Sequence, residues 1–249
     1  MTHYLKHTSC NNCGSSDANA QYSDGSSYCF SCGKFTSSKV SPYALKETYV
    51  EKGEPKSNVL PTDATKDYSK EAVAWAAKYD ITVHDLLSCK NPIYYSPSRE
   101  QLIFSWVDKE GNTIAWQARN LFPKDKGKRY FTKGDVNSLL PIYYNKTNKT
   151  RSLVLVEDCL SAMKCSSHLP GLGFDAMPLL GSGITNQKLS RLRPFYDVLV
   201  AFLDPDMYPK SVNIAERAKM LGFRASVVSA LDDPKALSYM ELNSVLNNL

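Results

Sequence analysis

The chain has 249 residues, 43% of them hydrophobic and 22% charged, which is ordinary for a soluble globular protein and long enough for one good core or for two or three domains. No stretch approaches the ~20 apolar residues of a membrane span. The first residues, Met1 to Lys6, lack the apolar core of a signal peptide, so a cytoplasmic location is expected. A net charge of +5 is too mild to argue for a nucleic-acid partner by itself, and the distribution of charge matters more than its sum.

Residues 1–45 read as a zinc-binding ribbon. Four of the seven cysteines form two Cys-x-x-Cys knuckles, Cys10/Cys13 and Cys29/Cys32, separated by fifteen residues, the spacing of a four-thiolate zinc site. Glycine follows each knuckle (Gly14 and Gly33) and lets the backbone close around one structural Zn²⁺. Asp24-Gly25 marks a hairpin turn between strands expected at 20–22 and 28–30. The metal supplies much of the folding energy of so small a unit. The ribbon either serves only as a staple or presents Tyr22, Asp24, Ser26, Tyr28 and Lys34 to a partner such as single-stranded DNA. Tyr28 and Phe30 would equally suit a ribbon core. Cys89, Cys159 and Cys165 are scattered and read as buried thiols.

Residues 46–66 have mixed charge, two prolines and no period, and read as a flexible linker. A small α+β subdomain is expected over 67–150. Its helix at 70–79 is capped by Ser69, and Thr82 to Asp85 forms a capping box for a second, short helix. His84 within that helix takes a surface or packing role. A hairpin joins 102–107 to 113–119 with Gly111 in its turn. Beyond it Arg119, Lys124, Lys126, Lys128, Arg129 and Lys133 alternate with Phe122, Tyr130 and Phe131. Such a run is either a solvated face or a surface for phosphates and bases.

From 151 to 249 strands at 153–156, 177–180, 198–203 and 225–228 alternate with helices at 160–168, 186–192, 212–221 and 235–246. That order calls for a parallel sheet with helices on both faces, so the fold class is α/β. Ligands collect beyond the carboxyl ends of such strands. Glu157 and Asp158 follow the first strand, Asp204-Pro205-Asp206 the third, and Asp232-Asp233-Pro234 the last. Converging carboxylates offer the hard oxygens that Mg²⁺ prefers, although single acids at strand ends also serve as helix caps. Gly181-Ser182-Gly183 resembles a backbone anion cradle.

With these residues in view, the chain resembles the bacterial-type (DnaG-like) primases, and within them the primase half of the phage primase–helicases. Ribbon, linker, basic region and a Toprim parallel-sheet domain follow the order of that family. Glu157 matches the Toprim glutamate, Asp204-Pro205-Asp206 its Asp-x-Asp, and Asp233 with Pro234 its later Asp-Pro element. Gln117-x-Arg119 with Lys128, Arg129 and Lys133 resembles the basic motifs that hold nucleotide and template phosphates. The chain departs from the pattern at Asp158, where glycine is usual, and at 207–210, where a small Ala-Gly is usual. It departs again at Lys235, where many relatives carry another acid; the ligands of a second metal ion are therefore open.

The resemblance implies template-directed synthesis of short RNA primers on single-stranded DNA from ribonucleoside triphosphates, with the ribbon reading a template trigger. Asp204 and Asp206 would hold Mg²⁺ (or Mn²⁺) with Asp233 assisting. Glu157 would be either the base for the attacking hydroxyl or a further metal ligand. Expected partners are a replicative helicase and a DNA polymerase, in the host cytoplasm if the protein is phage-encoded. No P-loop precedes Leu249, which implies a separate helicase or a truncated chain. A RecR-like recombination mediator and a Toprim nuclease or topoisomerase share parts of the pattern and are the alternatives.

Overall fold

The computed structural model describes residues 3–23, 25–36, 58–122, 129–136, 139–145, 151–167, 173–181 and 183–247. The chain divides into two compact units, 1–53 and 54–249.

In the first unit β1 (Tyr4–Thr8), β2 (Asn19–Tyr22), β3 (Ser27–Cys29) and β4 (Phe35–Thr36) form an antiparallel sheet in chain order. The expected pair of strands is β2 and β3. β1 was not legible because its side chains are exposed or nearly so, which leaves no apolar alternation to read. Among the described residues of this unit the buried apolar side chains are the small ones of Ala20, Cys10 and Cys29, whereas Phe30 is 63% exposed. Tyr28 and Phe30 therefore do not form a ribbon core, and the sulfur cluster takes its place.

The second unit begins with a correction to the linker. Residues 58–66 are pinned to a sheet, and 46–57 lie outside the described residues. Thr65 pairs with Tyr95, and the Asn58 amide donates to the Ile114 carbonyl at 2.7 Å. Asp63 accepts from the hydroxyls of Ser96 and Ser98, while Leu60 and Ala64 pack on Ile103, Trp116 and Ala118. These contacts depend on residues 30 or more positions away, which local polarity does not reveal.

Helix α1 (Lys70–Ala77) starts where Ser69 Oγ accepts from the Ala72 amide. It ends earlier than expected because Asp80, at φ 57°, turns the chain into the left-handed region. Helix α2 (Val83–Ser88) carries the expected box, with Thr82 and Asp85 each accepting the other's backbone N–H. The predicted hairpin is the centre of a four-stranded antiparallel sheet in the order β5 (Ile93–Ser96), β6 (Gln101–Val107), β7 (Thr113–Asn120), β8 (Tyr130–Gly134).

The parallel sheet has the order β10 (Phe174–Pro178), β9 (Ser152–Val156), β11 (Val198–Ala201), β12 (Arg224–Val227). Its connections are α3 (Cys159–Ser167), α4 (Asn186–Leu192) and α5 (Tyr208–Met220), and α6 (Tyr239–Asn247) follows the last strand. The apolar runs of β9 and β11 are buried on both sides, as parallel strands must be. Val154, Val156, Val200 and Phe202 pack with Trp75, Phe104, Trp106, Met163 and Leu242. Leu153, Leu155, Leu199 and Ala201 pack with Leu189, Leu192, Ile214 and Ala218. The first of these cores spans 72–246, so the two subdomains expected at 67–150 and 151–249 share one interior.

Three element starts shift by three or more residues from expectation. α5 starts at Tyr208, since Pro209 lies in the first turn, where its missing N–H costs nothing. β10 starts at Phe174 because its inward Asp175 is satisfied by the Tyr196 hydroxyl and the Asn145 amide. α6 starts at Tyr239 because Ser238 caps it: the Ser238 hydroxyl oxygen accepts from the Glu241 amide, and the Glu241 carboxylate accepts from the Ser238 amide. Among the described residues no helix is long and apolar enough to cross a membrane.

Candidate functional site

The four cysteines form the one group of three or more potential metal ligands among the described residues whose ligand atoms all lie within 4.8 Å of one another. Cys10 and Cys32 sulfurs are 3.9 Å apart and those of Cys13 and Cys29 are 3.7 Å apart. A tetrahedron with Zn–S bonds of about 2.3 Å requires about 3.8 Å, so the cluster fits Zn²⁺. The knuckles close as expected: the Gly14 and Gly33 amides donate to the carbonyls of Cys10 and Cys29, with φ of 72° and 71° at the glycines. The backbone N–H of Lys34 and then the Asn12 side chain hold the Cys32 thiol down at about 6, and the Asn12 N–H lowers Cys10. Burial pushes Cys29 up to about 11. Four thiolates leave no open position, which makes this a structural centre.

Of the ribbon residues expected to meet a partner, Tyr28 and Lys34 are exposed and Tyr22 is half-exposed, edge-on to Tyr4. Ser26 is buried, at 6% exposure, so its side chain is not presented to solvent. Asp24 lies outside the described residues. Lys34 Nζ donates to Asn12 at 3.0 Å across the two knuckles.

The second centre lies at the carboxyl edge of the parallel sheet. β9 and β11 are neighbours, with Leu155 opposite Ala201, so the residues that follow each strand emerge side by side. Glu157 follows β9. Asp204 follows β11 and precedes a 3₁₀ turn, Pro205–Met207, that contains Asp206. Among the described residues Glu157, Asp204 and Asp206 do not close to within 4.8 Å of one another. They share a field all the same. Burial raises the Glu157 carboxyl above its ordinary value, Lys210 opposes that shift, and Asp158 and Asp206 add to it. Burial likewise raises Asp204, to about 7, with Lys235 opposing and Asp233, Glu157 and Asp158 adding. Asp204 Oδ1 is buried and accepts no hydrogen bond. A buried, unpaired carboxylate oxygen fits a hard cation, and Asp206 and Glu157 are the other expected ligands that follow β11 and β9.

Two residues organise this edge: Asp158, read from the sequence as one of the converging strand-end acids, and Lys235, which sequence reasoning did not place in the site. Asp158 caps α3, accepting the Ser161 amide at 2.9 Å through Oδ1. Its Oδ2 accepts from the Tyr130 hydroxyl at 3.1 Å and from Lys235 Nζ at 3.0 Å. Lys235 Nζ also meets Asp233 at 2.7 Å and Asp204 Oδ2 at 4.0 Å. Asp233 is thus paired to a lysine. The one signal available in the sequence was the pair of departures from the family pattern at 158 and 235.

Tyr130 carries the acidic edge to the antiparallel sheet. Arg119 on β7 stands with its guanidinium 4.7 Å from the Tyr130 ring and 5.6 Å from the Trp75 ring, and its Nε is buried without a partner. Arg119 and Tyr130 face each other across the β7–β8 register. Lys133 lies over Phe131 on β8, and Arg129, just before that strand, is exposed. Lys128 lies outside the described residues, as do Lys124, Lys126 and Ser182 of the expected anion cradle. Lys210 Nζ donates to the Gly181 carbonyl, at 3.3 Å.

The fold and the site thus define an α/β protein with a four-cysteine centre and an acidic edge on a parallel sheet. No family model matches the chain. Solved structures similar to it are DNA primases. The primase fragment of the bacteriophage T7 primase-helicase protein is 16% identical over 99% of both chains, with a TM-score of 0.46. The zinc-binding and RNA polymerase domains of the Aquifex aeolicus primase are 15% identical over 99% of this chain and 80% of that one, with a TM-score of 0.48. A DNA primase domain from Pseudomonas aeruginosa is 20% identical over 59% of this chain and 49% of that one, with a TM-score of 0.43. At identities this low and TM-scores below 0.5, the functional reading rests on the geometry of the site.

Proposed function

We propose that the chain is a DNA primase that joins ribonucleoside triphosphates into short RNA primers on single-stranded DNA. The observation that carries this reading is the pairing of Asp204, with its buried and unpaired Oδ1, with a cationic aromatic sheet joined to it through Tyr130 and Asp158. A nuclease needs such acids too, but it gives no reason for a four-cysteine unit on the same chain.

Asp204 and Asp206 hold Mg²⁺, and Glu157 either completes that set or takes the proton of the attacking 3′-hydroxyl. When bound, the ion supplies neutralisation of the charge that develops at the α-phosphate and on the leaving pyrophosphate. Arg119, fixed between two rings, presents its guanidinium to phosphate with little rotamer freedom left to lose. Arg129, Lys128 and Lys133 extend that charge toward triphosphate and template. The ribbon reads the template trigger through Tyr22, Tyr28 and Lys34. A replicative helicase and a DNA polymerase are the partners such a product requires.

Asp204→Asn tests the assignment. The variant is expected to lose Mg²⁺-dependent ribonucleotide incorporation by a factor of at least about 10³, as removal of a principal charge-stabilising group does, with its circular dichroism unchanged. Incorporation at the wild-type rate would exclude the role of Asp204.

A further inference from the structure

The acids of the sheet edge fall into two sets that the chain treats differently. One set is neutralised from within. Lys235 Nζ lies 2.7 Å from Asp233, 3.0 Å from Asp158 and 4.0 Å from Asp204 Oδ2, on a side chain only 10% exposed. The other set has no such partner: among the described residues neither Glu157 nor Asp206 makes an ion pair, and Asp204 Oδ1 is the buried oxygen without a hydrogen bond. Asp204 belongs to both sets, one oxygen to each.

Lys235 is also held at its backbone. Its carbonyl accepts from Lys164 Nζ at 3.0 Å, and Lys164 is itself 1% exposed and paired with Asp80 at 2.9 Å. Asp158 is locked by the Ser161 amide and the Tyr130 hydroxyl. An ammonium so enclosed cannot leave without stranding buried carboxylates, which is strongly unfavourable. It is a fixed monovalent charge at a place where oxygens would otherwise gather a metal.

Displacement at phosphorus is commonly served by two cations about 3.5–4 Å apart. We infer that Lys235 is the second cation of this centre, so the chain binds one divalent ion at its acidic edge and the Asp158–Asp233 end is closed to another. The inference rests on the nucleotidyl-transfer reading above, and it assigns Lys235 a role in setting ion number.

The test counts ions directly. Zinc-loaded full-length chain is titrated with Mn²⁺, and bound ion is measured by electron paramagnetic resonance alongside RNA synthesis. One Mn²⁺ per wild-type chain is expected, two for Lys235→Ala, and one for Lys235→Arg, which keeps the charge. Lys235→Gln replaces the alanine variant if the latter loses the wild-type circular dichroism. Two ions in a wild-type chain that makes RNA would overturn the inference and leave the primase reading intact. One ion in both wild type and the charge-removed variant would also overturn it. No Mn²⁺ bound to the wild-type chain would overturn both.

Discussion

The two oxygens of Asp204 have opposite surroundings, and its chemistry follows from that asymmetry. Oδ2 is drawn toward Lys235 while Oδ1 is buried and unpaired, so burial outweighs the lysine and raises the carboxyl from 3.8 to about 7. Between those values the folded chain keeps a proton that the unfolded chain has released. The Asp204 contribution to stability is therefore full below about pH 4 and is lost as pH rises through about 7. Without added Mg²⁺, the urea midpoint should fall from pH 4.5 to 7.5, and Asp204→Asn should flatten part of that slope. An identical slope in the variant would show that Asp204 titrates normally. The acids of this site were legible because each follows an apolar run and strand ends can be read from such runs. The pairings of Tyr130 with Asp158 and of Lys235 with Asp158 were not, since they join residues 28 and 77 positions apart.

At the scale of elements, local chemistry was the legible part. Ser69, Thr82 and Asp85 make the hydrogen bonds that their capping patterns announce. Thr82→Ala should cost about 1 kcal/mol in a urea titration, the usual effect of removing an N-cap, and leave RNA synthesis unchanged. Elements whose reason lies elsewhere in the chain were missed. β8 reads as a basic run because its apolar neighbour is β7, and 58–66 reads as linker because its partners are in β5 and β7. A fragment starting at residue 67 should therefore melt below one starting at residue 54, having lost the Asn58, Asp63 and Thr65 contacts. Equal melting temperatures would mean that 58–66 contributes nothing to the second unit.

For the whole molecule, the two compact units have different sources of stability. The second has extensive apolar cores on both faces of its parallel sheet, whereas among the described residues of the first the buried apolar side chains are Ala20, Cys10 and Cys29. Cys29→Ser should release zinc and melt the first unit while the transition of 54–249 stays in place. A shift of both transitions would contradict independent folding. The proposed function asks at this scale that the acidic edge act on nucleotides and that the ribbon supply a template. The most direct measurement incubates the zinc-loaded chain with single-stranded DNA, labelled ribonucleoside triphosphates and Mg²⁺, with Asp204→Asn in parallel. The account predicts short oligoribonucleotides from the wild-type chain and none from the variant. Cut DNA without new RNA, or equal RNA from both proteins, would contradict it.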